Sequence, residues 1–367
     1  MVDPPVLGRG LVVRVGVVGC GYWGSKHVRV LASLSEVSSV IAIDQEQSRR
    51  DAMTSRFANS GSPDLTSVLS ELDAVIVAVP PRLHREVAAE AIEAGKHVLI
   101  EKPLATSSAD ARYLVELAED AGVVLMVGHT FEFAAALQEL RSRIADGDLG
   151  DLQYIDAAWL NLGLYQDDIN VLWDLAPHGI SICNYLLDAR PRRVGAWGSS
   201  HGNGGHMEDV AMLSLQYESP DVTAYIRVSW LDPAKVRRVT VVGSKKMAVF
   251  NDLAHAEPLR IYDRGVETNT DSEYGASTLT YRYGEIVSPY ITASEPLTME
   301  VQHFLECIAR KESPRTGGAN GLAVVRTLEA ADRALITRTI VEMDPKRPSV
   351  SALDGYATYR IPEEIAG

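Results

Sequence analysis

Apolar positions in the N-terminal third fall in short, nearly continuous runs: Val12–Val18, Ser39–Asp44, Ala74–Val79, His97–Ile100 and Val123–Val127. Such runs predict parallel strands covered on both faces. Between them the period becomes helical, over Arg82–Ala94 and Ser107–Ala121; in the latter Ala111, Leu114, Val115 and Leu117 fall close to one face. Strand and helix in alternation predict a right-handed, doubly wound sheet. After Gly128 the rhythm changes. A helix near Phe133–Asp146 precedes longer strands at Leu152–Leu162, Arg192–Gly198, Val210–Tyr217, Thr223–Trp230 and Arg237–Val242. Thr223, Tyr225, Arg227 and Ser229 alternate with Ala224, Ile226, Val228 and Trp230, the mark of a sheet with one wet face. Helices near Leu297–Arg310 and Gly321–Met343 follow, and the polar, glycine-rich stretches His201–His206 and Thr268–Ser277 read as loops. The expected fold class is α/β. A doubly wound parallel sheet occupies residues 1–128, with 1–10 a loose lead-in, and an α/β domain with an open, mostly antiparallel sheet occupies 129–367.

A chain of 367 residues suits two such domains. The longest apolar candidate, Leu11 to Cys20, is broken by Arg14 and falls short of the roughly 20 residues that span a bilayer. The opening MVDPPVLGRG lacks the features of a signal peptide. Cys20, Cys183 and Cys307 have no paired spacing, which suits a reducing cytoplasm and speaks against a disulfide framework or a cysteine zinc site. The formal net charge of −14 disfavours nucleic acid and acidic membranes as partners. It leaves anionic small molecules open, because local backbone N–H groups bind phosphate even in an acidic protein.

One motif narrows this. Val15 to Gly24 is a strand running into G-x-G-x-x-G at Gly19, Gly21 and Gly24. The first glycine permits a tight turn, the second lets the backbone approach a pyrophosphate, and the third lets the next helix pack closely. Asp44, twenty residues past Gly24 at the end of the next strand, is placed to accept from the adenosine ribose. These residues predict a Rossmann dinucleotide site. The Asp44 carboxylate favours NAD; Arg49 and Arg50 keep NADP open, although a solvated helix face is the simpler reading of both.

Two segments carry candidate chemistry. In His97-Val-Leu-Ile-Glu101-Lys102-Pro103 a buried strand ends in a charged pair at the carboxyl edge, where ligands of such sheets bind. Lys102 is either a site residue or an exposed partner of Glu101. In Trp173-Asp174-Leu-Ala-Pro177-His178, Pro177 suits a first helical turn and puts His178 at a helix mouth. Asp174 then lies four residues from His178, or serves as a helix cap. His129, in Val127-Gly-His-Thr, touches substrate or fills a structural role. Tyr165 and Asn170 are further substrate candidates, whereas His201 and His206 flank a glycine-rich loop without the carboxylates or cysteines of a metal site.

Together, G-x-G-x-x-G, Glu-Lys-Pro and Asp-x-x-x-His, in this order from Val12 to about Met343, resemble the Gfo/Idh/MocA oxidoreductases. The resemblance implies a Rossmann domain followed by an open-sheet α/β domain, and hydride exchange between a sugar and NAD or NADP. It implies Lys102 and His178 as catalytic residues with Asp174 beside them. It also implies a cofactor set of Gly19, Gly21, Tyr22, Trp23, Gly24, Asp44, Glu101, Lys102 and the loop bearing Val79, Pro80 and His84. An imidazole, with an unperturbed pKa of about 6.5, is suited to taking a hydroxyl proton at cellular pH, and an ammonium to stabilising the alkoxide. The stretch from Asn161 to His178 resembles a narrower branch, the nucleotide-sugar 3-dehydrogenases, whose keto products pass to an aminotransferase. Gly179 departs from that branch, in which an acidic residue is expected. Family members are commonly homodimers or homotetramers.

Overall fold

The computed structural model describes residues 12–163, 165, 169–202, 207–269 and 278–343; the lead-in at 1–10 and His206 lie outside them. In chain order come β1 (Val13–Val18), α1 (Tyr22–Leu31), β2 (Val37–Ile43), α2 (Gln47–Thr54), β3 (Ser60–Ser62), β4 (Ala74–Val77), α3 (His84–Glu93), β5 (His97–Glu101), α4 (Ser108–Ala121) and β6 (Leu125–Gly128). Then follow α5 (Ala135–Ala145), β7 (Leu152–Leu162), α6 (Val171–Leu187), β8 (Arg193–Ser199), β9 (Val210–Glu218), β10 (Asp221–Ser229), β11 (Leu231–Gly243), β12 (Met247–Asn251), β13 (Leu259–Asn269) and β14 (Thr278–Val287). Last are α7 (Pro296–Arg310), α8 (Gly318–Thr337) and β15 (Val341–Glu342). Two compact units result: 1–128 with 297–322, and 129–296 with the described residues from 323 onward.

The first unit is a six-stranded parallel sheet in the order β3-β2-β1-β4-β5-β6. Its central strands are buried along their length, Ala74 to Val77 and Val98 to Ile100 being fully enclosed, which is why they read as unbroken apolar runs. Ser107 caps α4 by accepting the Asp110 N–H (3.0 Å), and Gly122 at φ 65° ends it. The stretch after α7 lies along β6: Val127 N–H donates to the Thr316 carbonyl (2.8 Å), and Met126 and Gly317 form an antiparallel bridge. Sequence pattern assigned everything after 128 to one domain, because an amphipathic helix does not declare which sheet it covers.

The second unit is a nine-stranded sheet, β14-β13-β12-β11-β7-β10-β9-β8-β15, antiparallel except for the β7–β10 pair. On β10, Val222, Ala224, Ile226 and Val228 are buried while Tyr225 is about half exposed. Tyr154, Trp197 and Met212 share that exposure, around an Arg227–Asp156 ion pair (3.1 Å). The expected final helix stops at Thr337, because Val341 and Glu342 pair with β8 instead. Strands β13 and β14 escaped prediction because Val266, Leu279, Tyr281 and Tyr283 are exposed, so no one-sided apolar pattern marks them. Among the described residues no helix is long and apolar enough to cross a membrane.

Helix α6 is apolar almost all round and largely buried, packing on β10. A Cβ at Gly179 would sit 2.8 Å from Ile226 Cγ2, part of a stiff β-branched side chain. An acidic side chain therefore has no room at 179, which accounts for the departure noted in the sequence. Alanine gains about 1 kcal/mol of helix propensity over glycine, but overpacking costs about 1–3 kcal/mol. Gly179→Ala is therefore expected to lower the melting temperature and Gly179→Glu to lower it further. Combined with Ile226→Ala, Gly179→Ala should destabilise by less than the sum of the single changes in a thermal-melt cycle.

Candidate active site

In the first unit the glycine turn joins β1 to α1. Gly19 has φ +88°, a left-handed conformation that glycine tolerates. A Cβ on Gly24 would lie 1.7 Å from the Gly19 carbonyl oxygen, so α1 can rest on this turn only with glycine there. At Gly21 an added Cβ would meet nothing within 4 Å, leaving the backbone open to an approaching group. Gly21 is the N-cap of α1 and supplies no side-chain cap, and no acidic residue occupies the first turn. The amides and positive end of α1 thus suit a pyrophosphate.

Asp44 closes the other side. Its Oδ2 accepts the Cys20 N–H (2.8 Å) and its Oδ1 the Glu46 N–H (2.9 Å). An ionised carboxylate has about four acceptor sites, so capacity remains for ribose hydroxyls. Burial and the Asp44 charge push the Cys20 thiol up to about 11. Arg49 and Arg50 do not form a merely solvated face. Arg50 Nη1 donates to the carbonyls of Asp44 (2.6 Å) and Gln45 (3.0 Å), while Arg49 Nη1 lies 3.7 Å from Asp44 Oδ2. Both fold back because α2 begins only three residues beyond Asp44. Tyr22 and Trp23, in the first turn of α1, hold the Lys26 ammonium over their rings at 3.8 and 4.4 Å.

At the carboxyl end of β5, Glu101 is buried and its Oε1 lies 2.8 Å from Nε2 of the fully buried His27. Burial pushes the Glu101 carboxyl up, but the His27 hydrogen bond and the nearby His27 and Lys102 charges outweigh it, leaving a net downward shift. Lys102 follows, with its N–H donating to Glu101 Oε2 (3.3 Å), and then a cis peptide to Pro103. Its expected pairing partner is thus turned to His27. In the sequence His27 carries no independent catalytic signal. The available signal was its spacing: three residues past Gly24, it shares the sheet-facing side of α1.

His84 requires a correction. Expected among the cofactor contacts, it is buried, with Nδ1 2.8 Å from the Pro103 carbonyl and Nε2 2.9 Å from the Val79 carbonyl. Both ring nitrogens face main-chain carbonyls rather than a ligand; a neutral ring has one N–H, so it donates to the Pro103 or the Val79 carbonyl according to its tautomer. Burial lowers its pKa.

In the second unit His178 lies within α6, not at its mouth. The helix starts at Val171 and runs through Pro177, with Asn170 as N-cap. Pro177 forfeits the bond to the Trp173 carbonyl and crowds that oxygen, and sequence alone could not distinguish this from a first-turn proline. The helix start is held at three points. Asn170 Oδ1 accepts the Trp173 N–H (3.2 Å) while its Nδ2 donates to Glu208 (2.8 Å). Trp173 Nε1 donates to Asp332 (2.6 Å), and Trp230 Nε1 donates to Asp174 Oδ2 (3.0 Å). Asp174 is therefore not the cap, and lies one helical turn before His178. The His178 ring meets the edge of Phe131, centroids 5.0 Å apart, and stacks 6.3 Å from Trp159. Phe131 stands in a 3-10 turn at Thr130–Phe133, just after the buried His129. Tyr165 packs on Trp230 (5.2 Å) and donates to Asp209 Oδ2 (3.1 Å), which also accepts the His201 and Gly202 N–H groups (2.8 and 2.6 Å).

A doubly wound sheet with a glycine turn, an uncapped helix start and a carboxylate on the next strand defines an NAD-binding oxidoreductase fold. Residues 13–129 match the oxidoreductase family with an NAD-binding Rossmann fold, and 137–249 match the GFO/IDH/MocA C-terminal domain. The chain belongs to the Gfo/Idh/MocA oxidoreductases. It is 28% identical over 320 residues to UDP-N-acetylglucosamine 3-dehydrogenase of Acidithiobacillus ferrooxidans, covering 87% of this chain and 95% of that one. It is 24% identical over 354 residues to scyllo-inositol 2-dehydrogenase (NAD(+)) of Bacillus subtilis, covering 91% and 97%. The crystal structure of GenD2 from gentamicin A biosynthesis, in complex with NAD, superposes with a TM-score of 0.78 at 25% identity, covering 94% of this chain and all of that one.

The structure gives Asn170 a capping role. Asn170→Ala should cost about 1 kcal/mol, seen as a lower melting temperature, and Asn170→Asp should not restore it, because it keeps the accepting oxygen but sets a carboxylate against Glu208 where the amide donated.

Proposed function

We propose that this protein is an NAD-dependent dehydrogenase of a nucleotide sugar, oxidising the C3 hydroxyl to a ketone that an aminotransferase then consumes, in the cytoplasm. Similarity along almost the whole length of a UDP-sugar 3-dehydrogenase carries this reading. Lys102 supports it, standing at the carboxyl end of β5, the edge of the parallel sheet that bears the glycine turn. Bound NAD supplies the hydride acceptor. The remaining work falls to the chain. Either His178, as a neutral imidazole, or Lys102 takes the hydroxyl proton as the C–H bond breaks; the other donates a hydrogen bond to the developing alkoxide. Asp174, one turn before His178 and oriented by Trp230, holds a neighbouring sugar hydroxyl. Phe131 and Trp159 fix the imidazole plane and exclude water from one side. Tyr165 and His129 are the nearest further candidates for sugar contacts. The exposed aromatic face of the second sheet supports a homodimer or homotetramer.

Purified protein with NAD, a panel of UDP- and dTDP-sugars, and an aminotransferase to remove the ketone should show reduced nicotinamide by absorbance with one UDP-sugar. Silence across the panel with cofactor binding intact would refute the nucleotide-sugar assignment. Lys102→Met and His178→Ala are each expected to lose at least about 100-fold in kcat while binding NAD normally; full activity in both would refute the site. Asp44→Ala should weaken NAD by about 10-fold and NADP by less, because Arg49 and Arg50 remain in place; paired fluorescence titrations measure the ratio.

A further inference from the structure

Lys102 is flanked by two residues that buried histidines hold. Glu101, before it, has Oε1 2.8 Å from His27 Nε2. A carboxylate only accepts, so this nitrogen carries the proton and donates. Glu101 Oε2 in turn accepts the Lys102 N–H (3.3 Å). Gly128 of β6 leaves room for this carboxylate: a Cβ there would lie 3.1 Å from Oε2. Pro103, after it, has its carbonyl 2.8 Å from His84 Nδ1, to which the Nδ1–H tautomer donates; Nε2 of the same ring lies 2.9 Å from the Val79 carbonyl. His27 comes from α1, which starts at the glycine turn, and His84 from the first residue of α3. The backbone on both sides of Lys102 is therefore tied to the two loops expected to hold the dinucleotide, and both ties are shielded from water, His27 being fully buried and His84 1% exposed.

We propose that His27 and His84 are positioning residues for Lys102, His27 acting through Glu101 and His84 through the Pro103 carbonyl. The proposal rests on the reading of Lys102 as a site residue. It explains why two histidines without catalytic reach are buried beside this segment, where an apolar side chain would fill the space without a desolvation cost. Loss of either tie frees the Lys102 backbone on one side, and a displacement of about 1 Å at a catalytic group costs on the order of 100-fold in rate.

The test compares His27→Leu and His84→Leu with His27→Gln, whose amide N–H can still donate to Glu101, and with Lys102→Met. The first readout needs no turnover. Lysine amines are labelled competitively with acetic anhydride across a pH series, and mass spectrometry gives the midpoint and rate for each lysine. The leucine variants should shift the Lys102 values while leaving Lys96 and Lys246 unchanged, and His27→Gln should return them towards wild type. The second readout, kcat against KM, should show about a 100-fold fall in kcat with little change in KM. Should a leucine variant fail to melt cooperatively, His27→Phe or His84→Phe, which keeps a planar ring without a donor, takes its place under the same criteria. Unchanged Lys102 labelling in folded variants overturns the proposal. Full turnover by Lys102→Met instead overturns the reading of Lys102, an outcome the labelling result does not share.

Discussion

Helix α1 lies so close to β1 that position 24 tolerates no side chain: a methyl group there would collide with the Gly19 carbonyl. Much of the first unit follows from this contact. It aims the open start of α1 over the turn, where amides without a side-chain cap favour a phosphate. It also sets the depth of the helix, and so brings His27, one turn along, within reach of Glu101 at the end of β5. Two strands that are not neighbours in the sheet are thereby joined through a helix, with a buried charge between them. Removing one member of such a pair leaves the other desolvated and unpartnered, which is costlier than never having had the pair.

The second unit solves a different problem. Helix α6 is buried nearly all round, so its position is set by apolar packing, but its first turn brings polar groups into that interior. Asn170, Trp173 and Asp174 each find a partner from another element: Glu208, Asp332 and Trp230. Burial pushes the Asp332 carboxyl up, against the opposing effect of the Trp173 hydrogen bond. The imidazole one turn later is then carried on a helix whose start is tied to three other elements.

Legibility in the sequence tracked burial. Strands β1, β2, β4, β5 and β6 read clearly because most of each is covered on both faces, whereas the short, largely exposed β3, and β13 and β14, exposed along much of their length, left no apolar rhythm. The glycine turn, Asp44 and Lys102 were legible because each depends on a local spacing. Pro177 misled because proline is commoner at a helix start than inside one, and only the cap at Asn170 reveals where α6 begins. His27 and His84 were not legible as a pair: their partners are 74 residues away for one and 19 for the other, and no local pattern encodes a carbonyl oxygen brought in by the fold.

The order of strands in the second sheet bears on how the chain reaches its native state. β10 and β11 are consecutive in the sequence yet do not pair; β7 lies between them, parallel to one and antiparallel to the other. A simple meander of hairpins cannot therefore build the middle of this sheet. β7 precedes both neighbours in the chain and pairs only once β10 and β11 have been made. Closing such long loops precedes the reward of pairing, which slows folding and lengthens exposure of a sticky strand. The sheet on which the His178 helix packs is thus built from non-local pairings, the slower kind to form.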